Sequence, residues 1–347
     1  MAASFWYESS SETRISFSQA RWDPLSRATE LALSRRLVTT TEPSPAAAWP
    51  IGDVVPCVVQ AAGVPVSALA AAVPRPRAVV VALHGGAATS AYYDHPGHPR
   101  LSLLRTGTVL GFTVLALDRP GYGSSAGHTQ GMERPERRVE VAYAAVEALL
   151  AGRSRGAGVF LVAHSIGCEL AVRMAADERG ADLLGVELAG TGTQHNPPAL
   201  RLMEEWRRNA ARRPTGRRMR DLIWHPADAY PPDVYGGARI GSPAPAYEGD
   251  VVRTWTEDFP RLAARVRVPL RFTLGAHEQV WRSGPTALAD IGSLFTASPR
   301  VVVEEQAGAG HNTSIGRTAT AYHLKVLSFV EECALAARPQ RTEGGTR

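Results

Sequence analysis

Short, continuously apolar runs alternate with segments of helical periodicity along most of the chain. The apolar runs predict core strands at residues 78–83, 112–117, 159–163, 183–188, 269–274 and 301–304. The segments between and after them predict helices at residues 101–108, 133–150, from 166 onward, 286–295 and 319–336. Strands this apolar are covered on both faces. The pattern therefore predicts an α/β fold with a mostly parallel central sheet and helices on both faces.

Other segments depart from this alternation. Residues 54–61 and 64–71 flank Gly63 and predict a hairpin before the first core strand. Residues 193–266 hold no convincing central strand. We interpret them as a helical cap inserted between two sheet strands, over the edge where open α/β sheets bind ligands.

The resulting division of the chain has four parts. Polar residues 1–50 end in several prolines and predict a loosely ordered N-terminal arm. The α/β core is expected to comprise residues 51–192 and 267–337, separated by the cap at 193–266. Residues 338–347 are expected to form a disordered tail.

Composition narrows the class of protein. The net charge of +5 is modest for 347 residues and argues against a nucleic-acid-binding protein. The three cysteines have neither disulfide-framework nor metal-site spacing, so we expect no metal and no cofactor. We see no secretory signal and no apolar run of the roughly 18 residues that a membrane span requires. These features predict a cytoplasmic location.

One serine stands where the third core strand meets the next helix. Ser165 is flanked two positions away by small residues, Ala163 and Gly167. A sharp strand-to-helix turn crowds those two positions and exposes the serine oxygen. A serine hydroxyl is a poor nucleophile until a base removes its proton, and it needs backbone N–H groups that stabilise the developing oxyanion. The alternative interpretation is an ordinary turn with a capping serine.

Three segments together resemble the α/β-hydrolase family. The first is the pentapeptide at 163–167, which departs from the usual Gly-x-Ser-x-Gly in carrying Ala163. The second is His84-Gly85-Gly86-Ala87 after the first core strand, and the third is Asp118-Arg119-Pro120-Gly121-Tyr122-Gly123-Ser124-Ser125 after the second. The resemblance implies that Ser165 is the nucleophile and that the N–H groups of Ile166 and Gly86, or less favourably Ala87, form the oxyanion hole. Asp118 is expected to be structural.

The same resemblance places an acid and a base late in the chain. Glu278 follows the fifth core strand, where the family carries an aspartate, and glutamate can also orient an imidazole. His311 lies in a Gly-His turn after the last strand. We expect a Ser165-His311-Glu278 triad, with His164 in a packing role and His277 as the other possible base. The competing acids are Glu187, Asp258 and Asp290.

These residues predict a serine hydrolase that acts on a small or medium ester or thioester. Ala87, Trp224 and Trp281 are expected to contact the substrate. Arginines concentrated at 207–220 suggest either a solvated helix face or docking of a carrier-protein or coenzyme A thioester. Two other functions stay open. One is an acyltransferase or an elimination enzyme (lyase) in natural-product tailoring on the same scaffold. The other is a ligand-binding protein without catalysis. The sequence leaves the oligomeric state undetermined.

Overall fold

The computed structural model describes residues 52–208 and 219–337. All of these residues belong to one compact unit. The predicted arm at 1–50 and tail at 338–347 lie outside the described residues and stay predictions.

The centre of the molecule is a sheet of eight strands. The strands are β1 (Val55–Ala61), β2 (Val64–Ala71), β3 (Val79–Leu83), β4 (Thr113–Leu117), β5 (Val159–His164), β6 (Leu183–Ala189), β7 (Leu270–Gly275) and β8 (Val301–Gln306). Their spatial order is β1-β2-β4-β3-β5-β6-β7-β8. The β1–β2 hairpin and its contact with β4 are antiparallel, and every other pair is parallel. The predicted α/β class and mostly parallel sheet are confirmed.

Eight α-helices accompany the sheet in the described part of the chain. They are α1 (Leu103–Val109), α2 (Pro135–Leu149), α3 (Gly167–Ala176), α4 (Pro197–Arg208), α5 (Met219–Ile223), α6 (Glu248–Ala263), α7 (Pro285–Ser293) and α8 (Ala319–Ala336).

Both faces of the sheet are covered. Successive side chains of a strand point to opposite faces, and β3 shows the result. Val79, Val81 and Leu83 pack in the cluster that contains residues of α2, α3, α6 and α7. Val80 and Ala82 pack in the other cluster, with residues of α1 and α8. All five side chains are fully buried, which explains why this strand has no polar positions.

Helix starts differ from the predicted ones for identifiable reasons. Helix α1 begins at Leu103, because residues Pro99–Leu101 form a separate 3-10 turn. Ser102 then caps α1 by accepting a hydrogen bond from the Arg105 N–H at 3.0 Å. Helix α2 begins at Pro135, which has no N–H to satisfy at a first helical position.

The order of the strands determines where the site forms. Strand β4 lies on one side of β3, and β5 lies on the other, so the chain changes direction between β3 and β5. Leu83 at the end of β3 pairs with Ala163 near the end of β5. The loops that follow these two strands therefore emerge next to each other. Open α/β sheets bind ligands at such a switch point.

Residues between β6 and β7 contribute helices α4, α5 and α6. Trp255 and Phe259 of α6 stack with ring centroids 4.7 Å apart and pack in the same core cluster as α3. The limits of the cap at 193 and 266 stay predictions. Among the described residues, no helix is long and apolar enough to cross a membrane.

We expect His323 to make stability depend on pH. This α8 side chain is fully buried, and neither ring nitrogen has a hydrogen-bond partner among the described residues. Burial lowers the pKa of His323 to about 3. The unfolded chain binds this proton near pH 6.5, whereas the folded chain does not. The free energy of unfolding should therefore fall by about 1 kcal/mol per pH unit as the pH drops below 6.5 toward 3.

Urea titrations between pH 7 and 4.5 measure this contribution. His323→Leu should make the decline of the unfolding free energy shallower than in the wild type. The control is His128→Leu, at an exposed histidine. Equal slopes in the wild type and His323→Leu would contradict the assignment.

Candidate active site

Ser165 sits on a sharp turn between a strand and a helix. Strand β5 ends at His164 and α3 begins at Gly167. Ser165 has φ +52°, a left-handed conformation that residues other than glycine rarely adopt. Its N–H donates to the carbonyl of Ala189 at the end of β6, at 2.8 Å. The turn holds the side chain partly exposed at the carboxyl edge of the sheet.

Close backbone contacts explain the small residues beside the serine. A Cβ atom on Gly167 would lie 2.4 Å from the carbonyl oxygen of His84 and 2.7 Å from that of Leu83. Both obstacles are backbone atoms, so they cannot rotate away. Ala163 on the other side is fully buried in the core, where its methyl group is accommodated. The departure from glycine at this position is therefore compatible with the turn.

Three side chains from distant parts of the chain form one hydrogen-bonded series. The Ser165 hydroxyl lies 3.0 Å from His311 Nε2. His311 Nδ1 lies 2.8 Å from Glu278 Oε2. His311 and Glu278 are both buried. The structure thus brings together the three residues of the predicted triad.

The Glu278 carboxylate is held in place by backbone donors as well as by His311. Its Oε1 accepts hydrogen bonds from the N–H groups of Val280 at 2.7 Å and Trp281 at 3.4 Å. Burial by itself raises the pKa of the Glu278 carboxyl. The neighbouring His311 and the two N–H donors outweigh burial and bring this pKa below its ordinary value. Glu278 is therefore ionised at neutral pH.

The loop that carries His311 crosses the end of β6 to reach Ser165. Gly190 allows this approach: it has φ +68°, and a Cβ atom there would lie 3.3 Å from His311 Cε1 and from the His311 carbonyl oxygen. His164 Nε2–H donates to that same carbonyl at 2.9 Å. The Tyr230 hydroxyl accepts a hydrogen bond from the Asn312 N–H, and the Tyr92 hydroxyl accepts one from the Ser314 N–H. These contacts hold the backbone that follows His311.

His164 is thus more than a packing residue, because it holds the backbone of His311. The ring stacks on Tyr92 with centroids 4.6 Å apart. Burial, with a smaller contribution from His311, lowers the pKa of His164 well below its ordinary value. A neutral His164 can therefore donate from Nε2 while leaving Nδ1 unprotonated.

The competing acids and base are engaged elsewhere or point to the surface. Glu187 contacts Arg271 Nη1 at 3.0 Å and the Thr273 hydroxyl at 2.7 Å. Asp258 pairs with Arg173 at 2.8 Å. Asp290 and His277 are exposed. Of the four candidate acids, Glu278 is the one that has a hydrogen bond to His311 in the described structure.

The two N–H groups predicted for the oxyanion hole are available. Neither Gly86 N–H nor Ile166 N–H has an acceptor among the described residues. The N–H of Ala87, the less favoured alternative, donates to the Tyr122 hydroxyl at 2.9 Å. Gly86 is therefore the better candidate of the two.

Two small cavities meet at Ser165 and His311. The first measures about 60 Å³ and its lining includes Gly86, Ala87 and Trp224. The second measures about 40 Å³ and its lining includes Ile166, Trp255 and Trp281. The three residues predicted to contact the substrate thus lie in two different cavities: Ala87 and Trp224 in the first, and Trp281 in the second.

Asp118 occupies a structural position. Its carboxylate accepts hydrogen bonds from the Ser67 hydroxyl at 2.6 Å and from the Ser90 N–H at 2.7 Å. It thereby links the end of β4 to β2 and to the loop after β3.

Several residues around the site were not predicted from the sequence. They are Arg119, Tyr122, Tyr92 and Asn312. Arg119 had a usable signal, because a charge directly after a buried strand needs a partner. The tyrosines had no such signal in the sequence, because their hydroxyls form hydrogen bonds with segments far away in the chain.

The strand order and the serine turn at the switch point define the class of protein as an α/β hydrolase. A sequence profile described as the Alpha/beta hydrolase family matches residues 80–324. This is more than half of the chain, and the chain therefore belongs to that family. By family it is an enzyme of the hydrolase class.

Solved structures with the same fold act on different substrates. A highly thermostable carboxyl esterase from Bacillus coagulans has a TM-score of 0.59 at 18% identity, covering 81% of this chain and 99% of that one. E-2-(acetamidomethylene)succinate hydrolase has a TM-score of 0.57 at 19% identity, covering 80% and 100%. A thioesterase domain from the curacin biosynthetic pathway has a TM-score of 0.51 at 15% identity, covering 80% and 99%. At these identities the likeness concerns the fold. The search of curated proteins returned no match.

Some expectations stay predictions. Most of the arginine cluster at 207–220 falls outside the side chains that the structure describes. A carrier-protein or coenzyme A partner and a cytoplasmic location stay predictions. In the described residues, no group of three or more His, Cys, Asp or Glu side chains could hold a metal ion.

Gly167→Ala should destabilise the protein, because its methyl group would collide with the backbone at the end of β3. We expect a loss of about 1–3 kcal/mol in the free energy of unfolding, measured by urea titration. The matched control is Gly249→Ala in α6, where an added Cβ meets nothing within 4 Å. That variant should be unchanged or stabilised by up to about 1 kcal/mol. A similar stability for both variants would contradict the steric account of this turn.

Proposed function

We propose that this protein is a serine hydrolase that cleaves carboxylic esters or thioesters through an acyl-enzyme on Ser165. One observation carries the proposal: the continuous series Ser165 Oγ–His311–Glu278 at 3.0 and 2.8 Å. The series ends beside two N–H groups without an acceptor in the described structure. A nucleophile, a base, an orienting acid and an oxyanion site are the components that acyl transfer needs.

The reaction would proceed in two halves. His311 Nε2 removes the Ser165 proton as the oxygen attacks the carbonyl carbon. The N–H groups of Gly86 and Ile166 stabilise the oxyanion of the tetrahedral intermediate. His311 then protonates the leaving alcohol or thiol, and the acyl group stays on Ser165. A water molecule deprotonated by His311 attacks the acyl-enzyme and releases the free acid.

Glu278 would act on His311 rather than on the substrate. Its ionised carboxylate accepts a hydrogen bond from the Nδ1–H of His311, which leaves Nε2 unprotonated and facing Ser165 as the base. The same carboxylate stabilises the imidazolium that forms during attack. Its two backbone donors keep the negative charge in place inside the protein.

The cavities favour compact substrates. Cavities of about 60 Å³ and about 40 Å³ adjoin the same serine, so the acyl group and the leaving group would occupy one each. The second cavity is lined mainly by apolar side chains, among them Met203, Val280 and Trp255. A short apolar group therefore fits it best. A carboxyl esterase and a thioesterase domain among the structural neighbours are consistent with this class of bond.

A fluorophosphonate probe should label Ser165. The phosphonyl group requires an activated serine and an accessible oxyanion site, so labelling reports on both. Mass spectrometry should locate the adduct on Ser165 in the wild type and find none in Ser165→Ala. The wild type, but not this variant, should hydrolyse p-nitrophenyl acetate.

Other outcomes would redirect the proposal. Labelling with acyl transfer to an added alcohol in place of free acid would favour the acyltransferase. A folded wild type with neither labelling nor turnover would favour a ligand-binding protein and overturn the proposal.

Glu278→Gln should lower kcat for p-nitrophenyl acetate by about 10³- to 10⁴-fold, because the amide cannot stabilise the imidazolium. Stopped assays with the Ser165→Ala background subtracted would measure this. Asp290→Asn is the matched control and should retain wild-type kcat, since Asp290 is an exposed carboxylate of α7. Wild-type rates in Glu278→Gln would assign the role to another carboxylate.

A further inference from the structure

The peptide bond between Gly85 and Gly86 is held from its carbonyl side. The Gly85 oxygen lies 2.7 Å from His84 Nδ1 and 3.0 Å from Arg119 Nη2. A carbonyl oxygen has two lone pairs. Two donors from separate side chains therefore fix the orientation of this peptide plane.

The protonation of His84 is determined by its neighbours. Its Nε2 accepts a hydrogen bond from the Arg119 N–H at 3.1 Å. The remaining nitrogen, Nδ1, must therefore carry the proton that is donated to Gly85. Burial and the charge of Arg119 lower the pKa of His84 well below its ordinary value, which keeps the ring neutral.

The orientation of the Gly85 carbonyl decides the direction of the Gly86 N–H. In a trans peptide the C=O and N–H point to opposite sides. The carbonyl faces buried Arg119, so the N–H faces away from it. Gly86 lines the cavity that contains Ser165. Hydrogen bonds also polarise one another in series, so a cationic donor on the carbonyl makes the N–H of the same peptide a stronger donor.

Arg119 is itself held in a fixed position. Its side chain is fully buried, and Nη2 contacts Glu248 Oε1 at 2.5 Å. The guanidinium also lies 4.9 Å from the centre of the Tyr122 ring. Glu248 is the first residue of α6, and Arg119 lies in the loop after β4, so this ion pair links the segment between β6 and β7 to that loop.

We propose that Arg119 is a positioning residue that orients and polarises the Gly85–Gly86 peptide, so that the Gly86 N–H stabilises the oxyanion formed at Ser165. This inference rests on the proposed function, because it assigns Arg119 a role in that reaction. Arg119 does not touch the substrate. Its contribution appears only when negative charge develops on the substrate oxygen.

The test compares two buried arginines. Arg119→Met removes the cationic one of the two donors to the Gly85 carbonyl. Arg271→Met removes an equally buried arginine whose partners, Glu187 and Glu304, lie away from the site. With p-nitrophenyl acetate, Arg119→Met should lower kcat by about 10- to 100-fold with little change in KM. The affinity of 1,1,1-trifluorobutan-2-one, which forms an oxyanion on the serine, should fall by the same factor. Arg271→Met should change neither quantity.

Equal kinetics in the two variants, or an increase in KM alone, would overturn the role of Arg119. Because Arg119→Met leaves Glu248 buried without its partner, the variant is also made as Arg119→Met/Glu248→Met, which carries no unpaired charge. The double variant should show the same loss of kcat and of inhibitor affinity. A double variant that retains the wild-type kcat or the wild-type inhibitor affinity would contradict the proposal.

A spectroscopic readout separates this inference from the proposed function. In protein labelled with ¹⁵N-glycine, the Gly86 amide proton resonance should move between the wild type and Arg119→Met and stay in place in Arg271→Met. If the wild type shows no turnover that depends on Ser165, the proposed function fails. The resonance then still decides whether Arg119 orients the Gly85–Gly86 peptide. A Gly86 resonance that does not move in Arg119→Met would reject the role of Arg119.

Discussion

The close approach between the turn at Ser165 and the end of β3 is the constraint on which the site depends. Leu83 and Ala163 are paired neighbours in the sheet, and the chain at Gly167 passes within atomic contact of the carbonyls of Leu83 and His84. This contact forces the left-handed backbone at Ser165 to lie beside Gly85 and Gly86. Strain of this kind persists only where the surrounding structure determines the conformation. Here the parallel pairing of β3 and β5 holds the backbone at Ser165 in its left-handed conformation.

Buried and partly buried ion pairs hold the elements around this contact together. Glu169, in the first turn of α3, pairs with Arg138 of α2 at 2.7 Å and with Arg173 at 2.5 Å, and Arg173 reaches Asp258 of α6. The pair formed by Arg119 and Glu248 joins α6 to the loop after β4. Buried pairs of this kind contribute little net stability, but breaking one is costly. Their consequence here is geometric, because the pairs Arg173–Asp258 and Arg119–Glu248 both hold α6 in position relative to the serine turn.

The sequence was informative where local chemistry dictates the conformation. The apolar runs located the six core strands, because strands covered on both faces are composed mostly of apolar residues. The small residues around Ser165 indicated the turn, because backbone crowding excludes larger ones. The ends of helices were less accurate. Residues 99–101 form their own turn before α1, and neither that turn nor the cap at Ser102 changes the apolar pattern.

By itself, the sequence determined the α/β class, the order of the elements and which serine, histidine and glutamate to consider. The tertiary structure alone decided that Glu278, rather than Glu187 or Asp258, reaches His311. It also decided that the Tyr122 hydroxyl accepts a hydrogen bond from the Ala87 N–H. Two further hydrogen bonds are decided in the same way: His164 donates to the carbonyl of His311, and Arg119 donates to the carbonyl of Gly85. Each of these contacts joins segments that are far apart in the chain. Their geometry depends on strand order and loop path, which no local pattern of residues encodes.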